Sequence, residues 1–161
     1  MDNDPIVHAH GNALLADQQT TILFADLREP ARTVTHRKVR RLLDWDRPVA
    51  VLLVAILHFI RNREDPAGIV ACLRAAMAPG SYLVISHATA DFDPPAATRA
   101  ARAYDRATAP MILRSHAQVT GLFDGLALVD PGLVQVSQWR PDPASARPGE
   151  VWAYSGVGCK P

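Results

Sequence analysis

The sequence predicts an α/β fold organised around a doubly wound parallel sheet, and three observations carry that expectation. Residues 49–56 and 82–85 are unbroken apolar runs rather than alternating ones, the pattern of strands covered on both faces. Segments with helical periodicity and clear start and stop signals separate them, giving the strand, helix, strand order of a parallel sheet. Short stretches also end in a carboxylate just before a helix, at Asp2 and at Asp26. The 161 residues, 48% apolar and 20% charged, suffice for one core and are too few for two. One domain spanning 1–161, incomplete at its front, is the expected organisation.

In chain order, Asp4-Pro5 opens the first helix, because Asp4 can cap free amides and Pro5 is preset for a first turn. Ile6, Ala9, Ala13 and Leu14 recur at helical spacing to about residue 15, with Gly11 weakening the middle. Residues 21–26 form a short apolar run closed by Asp26 and read as a buried strand. Val39, Leu42 and Leu43 mark a helix ending before the polar turn 44–48, and residues 49–56 are the central strand. Asp65-Pro66 starts a helix whose Ile69, Val70, Leu73, Ala76 and Met77 share a face, and Pro79-Gly80 stops it. The strand at 82–85 leads into a proline-containing loop, 86–95, and an arginine-rich helix over 96–107. Ser115 and Gln118 make a capping box for a helix reaching Phe123, which Gly125 ends. Strand candidates at 126–129, 133–136 and 151–157 predict an antiparallel hairpin at one sheet edge. The turn 139–143 and a loop through Gly149 separate the last two.

Composition narrows the function classes. The formal net charge is +1, and of the 17 basic residues only Lys38 and Lys160 are lysines. The arginines are scattered along the chain rather than set on one stripe, so no nucleic-acid partner is expected. Cys72 and Cys159 match no metal or redox spacing and read as reduced thiols of a cytoplasmic protein. The longest apolar run, 49–60, is broken by His58 and falls short of the roughly 20 residues of a membrane span. His8 and His10 lie two apart on a helix and point to different sides, so no metal site is assigned. Ser86 lacks a His and Asp at recognisable spacing and is not read as a nucleophile. Trp139 and Arg140 read as a packed aromatic with a loop-fixing cation.

An acid that closes a strand and precedes a helix is how doubly wound α/β proteins hold a ribose, its carboxylate accepting hydrogen bonds from both hydroxyls. Asp2 stands in that position, with neither a strand nor a glycine-rich turn before it. Each of these residues also has a plainer reading. Asp2 and Asp4 can cap the following helix, Asp26 can be a solvated strand-end residue, and His58 can be a satisfied polar residue rather than a base.

Taken in order, Asp2-Asn3-Asp4-Pro5-Ile6-Val7, Ala25-Asp26-Leu27-Arg28, Pro48-Val49-Ala50-Val51-Leu52-Leu53 running into Leu57-His58-Phe59, Asp65-Pro66-Ala67 and Pro79-Gly80-Ser81-Tyr82-Leu83-Val84 form a specific series. Phe123-Asp124-Gly125-Leu126, Pro131-Gly132-Leu133-Val134 and Trp139-Arg140-Pro141 extend it. The series resembles the later two thirds of the actinobacterial S-adenosylmethionine-dependent methyltransferase family once classed as a domain of unknown function. That resemblance implies a class I methyltransferase-like, Rossmann-like parallel sheet with an antiparallel edge hairpin, lacking the first strand. It implies S-adenosyl-L-methionine as cofactor and a small-molecule methyl acceptor. By the same resemblance Asp2 holds the ribose, Asn3 beside it belongs to the cofactor-binding set, Asp26 and Leu27 flank the adenine, Ala55 lines the cofactor, and His58 and His87 line the substrate pocket. No catalytic residue is assigned, since in-line positioning can suffice for methyl transfer.

The resemblance also marks a departure. Family members open with a helical segment and a first strand ending in a Gly-x-Gly turn, where only glycine lets backbone approach the methionine moiety. Met1 stands where the family has a valine, so a truncated chain or a misplaced gene start is expected, with impaired cofactor binding. Two other functions stay open. One is a non-catalytic remnant that self-associates or recruits partners through unpaired strand edges, giving a homo-oligomer. The other is a nicotinamide-dependent enzyme, which Leu57-His58-Phe59 followed by Pro79-Gly80 disfavours.

Overall fold

The computed structural model describes residues 1–161 except 16, 18, 106, 108 and 143–150. The loop expected through Gly149 therefore lies outside the described residues from 143 onward. Helices α1 (Pro5–Leu15), α2 (Pro30–Thr35) and α3 (Arg37–Leu42) precede strand β1 (Ala50–Val54). Then come α4 (Pro66–Ala76), β2 (Tyr82–Ala88), α5 (Pro94–Ala103), α6 (His116–Thr120), β3 (Ala127–Leu128), β4 (Val134–Gln135) and β5 (Ala153–Cys159). Short 3-10 turns sit at Leu57–Phe59, Asn62–Glu64 and Gly121–Phe123.

Local chemistry places the boundaries. Helices α1, α2, α4 and α5 all begin at a proline, whose missing N–H costs nothing in a first turn. Asp4 Oδ1 accepts the Ile6 N–H at 2.7 Å, Asp65 Oδ1 the Gly68 N–H at 2.9 Å, and Asp93 Oδ1 the Ala96 N–H at 2.9 Å. The Ser115 and Gln118 capping box forms as the sequence predicts. Gly80, at φ +79, supplies the left-handed residue that turns the chain from α4 into β2.

The sheet runs β1-β2-β5-β3, with β4 also paired to β5. β1 and β2 are parallel, from Ala50 opposite Tyr82 to Val54 opposite Ser86. β5 is antiparallel to β2, and β3 and β4 are antiparallel to β5, so the late strands close that edge as expected. Residues 21–26 do not enter this sheet. They make one parallel bridge, Phe24 with Asp2, in which the Asp2 N–H donates to Leu23 O and the Ala25 N–H to Asp2 O, both at 3.0 Å. Among the described residues no strand pairs with the outer edge of β1, so the bridge and the sheet stay separate.

The core occupies one face of the sheet. Leu53, Leu83, Ile85 and Tyr154 pack against Ile69, Val70 and Leu73 of α4 and against Leu122, Phe123 and Leu133. Phe123 lies directly on β5, where a Cβ at Gly158 would stand 3.0 Å from its ring and 2.9 Å from Leu126, so glycine is needed there. The expectation that unbroken apolar strands are covered on both faces is corrected by the other face. Leu52 is 62% exposed and Val54 54%. The apolar run reported hydrophobicity without saying which neighbours cover it, and no described helix lies over this face. Helix α1 likewise buries no residue.

This one-sided core makes an unequal pair of truncations. Ile85→Ala, at a fully buried site, should lower unfolding free energy by about 2–5 kcal/mol. Leu52→Ala should change it by less than about 0.5 kcal/mol. Urea denaturation of both variants measures the contrast, and equal losses would show that the Leu52 face is covered.

Candidate functional site

The chain ends of the Asp2 bridge and of β1 open on one cavity of about 280 Å³. Asp2, Asn3, Asp26 and Leu27, all predicted from sequence, line it together with Ile56, Phe59, Ile60 and Tyr104. The two strand-end acids differ in how much of their carboxylate is free. Asp2 Oδ1 accepts the Asp4 N–H at 2.9 Å, and among the described residues no donor reaches its Oδ2. Asp26 is fully engaged: Oδ1 accepts the Arg28 N–H at 2.9 Å, while Oδ2 accepts from Arg28 Nη1 at 3.1 Å and Asn3 Nδ2 at 3.2 Å. Arg28 also reaches Glu64 Oε1 at 3.1 Å, tying the Asp26 turn to the loop after β1. Asp2 therefore offers an acceptor to a ligand, whereas Asp26 fixes the wall. Leu27, 6% exposed, adds an apolar edge anchored in the core.

The remaining predicted residues gather elsewhere. Ala55, His58 and His87 share a second cavity of about 230 Å³ with Ser86, Met111 and Trp152. Ala55 has φ +53, a left-handed conformation that costs an alanine roughly 1–2 kcal/mol. Ser86 Oγ holds it by accepting the Ala55 N–H at 2.9 Å. Ala55 thus shapes the strand-end turn, and its neighbour Ile56 is the residue that reaches the first cavity.

Arg114 joins the two sites. It is 4% exposed, and its Nη1 donates to Leu57 O at 3.1 Å and to His87 Nε2 at 2.8 Å. Its Nη2 donates to Ile60 O at 2.9 Å and to Asn62 Oδ1 at 2.7 Å. The segment that supplies Phe59 and Ile60 to the first cavity is therefore pinned by a cation that also touches the histidine pair. Burial pushes both His58 and His87 down to about 4, and the neighbouring Arg114 charge adds to the shift in each. The plainer reading of His58 as a satisfied polar residue covers one nitrogen only, since Nδ1 accepts the Ala88 N–H at 3.4 Å and nothing among the described residues meets Nε2.

Sequence reasoning missed Arg114, Tyr104 and the holding role of Ser86. Arg114 lies on a connecting segment with no periodicity, and only tertiary structure reveals its burial. The reading of scattered arginines also overlooked a local concentration. Arg37, Lys38, Arg40 and Arg41 line a polar surface cavity of about 700 Å³ beside Asn12 and Asp17. Trp139 and Arg140 behave as read, with the guanidinium 5.1 Å from the ring centroid and donating to Asp130 O. Cys72 and Cys159 are free thiols.

The parallel pair of β1 and β2, the antiparallel late strands and the flanking helices make up a class I methyltransferase-like fold, with the first cavity beside the carboxyl end of β1. The chain belongs to the S-adenosyl methyltransferase family, whose model matches residues 1–161. It is similar to a DUF574 family protein of Streptomyces avermitilis at 41% identity and a TM-score of 0.92, covering 99% of this chain and 63% of that one. It is also similar to a Thermobifida fusca protein provisionally described as a methyltransferase, at 36% identity and a TM-score of 0.87, covering 99% and 61%. The chain thus spans less than two thirds of either relative. The N-methyltransferase NodS of Bradyrhizobium japonicum, in complex with S-adenosyl-L-homocysteine, shares the fold at 12% identity and a TM-score of 0.57, covering 99% of this chain and 64% of that one. A search of the curated proteins found no match.

S-adenosyl-L-methionine is the cofactor of this family, and the residues present fit its nucleoside end. Asp2 Oδ2 can accept from a hydroxyl, and Leu27, Ile56, Phe59 and Tyr104 provide apolar walls. A cavity of about 280 Å³ is just below the roughly 300–1,000 Å³ of complete small-ligand sites, so it takes part of such a molecule. Among the described residues no glycine lines it.

The histidine pair gives the stability a pH dependence whose sign is fixed. Both rings are neutral when folded and titrate near 4, whereas unfolded histidine titrates near 6.5. Between those values the unfolded chain binds more protons, so stability is complete above about pH 6.5 and falls as pH drops toward 4. The loss is on the order of 3 kcal/mol for each ring. Urea midpoints at pH 7.5 and 4.5 should show the fall, and His87→Gln should reduce it. A flat profile would show that one or both rings are charged in the folded state.

Proposed function

We propose that this chain holds the nucleoside half of S-adenosylmethionine for methyl transfer to a small-molecule acceptor. The observation that carries the reading is one cavity lined by Asp2, Asn3, Asp26 and Leu27 from two distant chain segments, closed by Ile56 and Phe59 at the end of β1. The cofactor, when bound, supplies an electrophilic sulfonium methyl. The protein's part is binding and orientation. Asp2 accepts from the ribose hydroxyls, Asn3 and Arg28 keep Asp26 rigid, and the aromatic pair Phe59 and Tyr104, 5.3 Å between centroids, excludes water from one side. His58 and His87, beyond Ala55, line the acceptor side. We place the activity in the cytoplasm because both cysteines are free and partly buried. No described helix is long and apolar enough to cross a membrane.

A second reading rests on the outer edge of β1. Tyr82 N–H bonds to Val49 O, so alternate residues 49, 51 and 53 face β2, and Ala50, Leu52 and Val54 present their amides to open space. Such an edge recruits a strand, and here a second copy is the occupant proposed. Sedimentation at several concentrations tests this. Leu52→Pro, which leaves the β1 to β2 bonds in place, should abolish any dimer, and a monomer at all concentrations removes the reading.

Because only part of the cofactor is walled in, the chain should bind S-adenosylhomocysteine weakly, in the high-micromolar to millimolar range. A carboxylate accepting two hydroxyl bonds contributes about 1.5–3 kcal/mol, so Asp2→Ala should raise Kd roughly 10- to 150-fold. Asp4→Ala should leave affinity nearly unchanged while costing about 1 kcal/mol of stability, because it caps α1. Titration followed by backbone amide shifts measures the first effect and urea denaturation the second. Low-micromolar binding, or equal binding losses in both variants at matched folded fraction, would show that these roles are misassigned.

A further inference from the structure

We infer that the second cavity is a specificity pocket for a small, uncharged, largely apolar molecule, recognised by a hydrogen bond donated from His58 Nε2. The inference rests on the methyl-transfer reading for its role as an acceptor site, but its geometry stands alone.

The tautomers follow from the partners. Ala88 N–H can only donate, and it meets His58 Nδ1 at 3.4 Å. Neutral His58 therefore carries its proton on Nε2, which has no acceptor among the described residues. His87 has the opposite arrangement. Its Nδ1 lies 2.8 Å from Ala88 O, which can only accept, and its Nε2 lies 2.8 Å from the donating Arg114 Nη1. Both nitrogens of His87 are spent, so it contributes a ring face. Ser86 Oγ accepts the Ala55 N–H with one lone pair, which leaves its O–H to donate and a second lone pair to accept. The polar hydrogen this wall leaves without a partner is the His58 Nε2–H, which a ligand complements with an accepting oxygen or an unprotonated nitrogen.

The rest of the described lining, including Ala55, Met111, Val151 and Trp152, carries no charged side chain. A charged ligand group would find no opposite charge among these lining side chains. The volume of about 230 Å³ lies below the usual range of small-ligand sites and suits a single ring. The low basicity of both histidines agrees with this assignment, because a ring held neutral donates without taking up a proton.

Four one-ring probes test the inference on the intact chain: acetophenone, toluene, benzoate and benzylammonium. Binding is read from the His58 ring nitrogens and the Met111 methyl by NMR. Acetophenone should shift both signals and bind about 5- to 10-fold more tightly than toluene, the value of one hydrogen bond. Benzoate and benzylammonium should bind less well than either. In His58→Phe the acetophenone advantage should vanish while toluene still binds, and if that variant fails to fold, the wild-type series decides alone. An Nδ1–H tautomer at His58, tighter binding of a charged probe, or no binding by any probe overturns the inference. Amide shifts at Asp2 and Asp26 with S-adenosylhomocysteine report the other cavity separately. Their absence, with acetophenone binding intact, would remove the methyl-transfer role and leave the pocket.

Discussion

The buried guanidinium of Arg114 is the constraint on which the strand ends depend. No carboxylate among the described residues pairs with it, so its charge is met by two backbone carbonyls, an amide oxygen and an imidazole nitrogen. Removing a cation from water is expensive, and only this full set of acceptors makes the position tenable. The consequence is geometric. The backbone at Leu57 and Ile60, the side chain of His87 and the segment bearing Arg114 cannot move independently, and the Ile112 N–H adds a 2.7 Å bond to His58 O. One cation therefore sets both the wall of the first cavity and the tautomer of a histidine in its neighbour.

The two cavities divide the chemistry of the site. The first carries an available carboxylate oxygen at Asp2 and apolar walls, suited to a hydroxyl-bearing nucleoside. The second offers the His58 Nε2–H and the Ser86 hydroxyl and has no charged side chain in its described lining. Between them lies the strained turn at Ala55, held by Ser86. A strained residue at a strand end, locked by a side chain from the next strand, is the kind of feature that persists where backbone placement matters more than local comfort. A rigid divider of this kind keeps the two cavities at a fixed separation.

The sheet imposes a second constraint. Its core lies on the face carrying Leu53, Leu83 and Ile85, while Leu52 and Val54 stay exposed. The Asp2 to Phe24 bridge is joined to the rest by side-chain contacts such as Arg28 with Glu64 rather than by a ladder. Leu27 in the core and the Arg28 to Glu64 pair, rather than strand pairing, therefore hold the Asp2 side of the first cavity.

Much of this was legible in the residues themselves. Prolines and capping aspartates fixed the helix starts, because their chemistry is local: a missing N–H at Pro66 or a carboxylate at Asp93 acts within one turn. Unbroken apolar runs located β1 and β2, and the strand-end acids singled out Asp2 and Asp26, which line one cavity. Hydrophobicity alone could not say which face of β1 is covered, since burial depends on what packs there. Nor could it separate Asp2, with an oxygen to spare, from Asp26, whose oxygens are both taken by Arg28 and Asn3. The burial of Arg114, the opposite tautomers of His58 and His87, and the parting of Ala55 from the first cavity were decided by tertiary structure alone. Each depends on at least one partner more than 20 positions away in the chain, and no local pattern encodes a contact of that range.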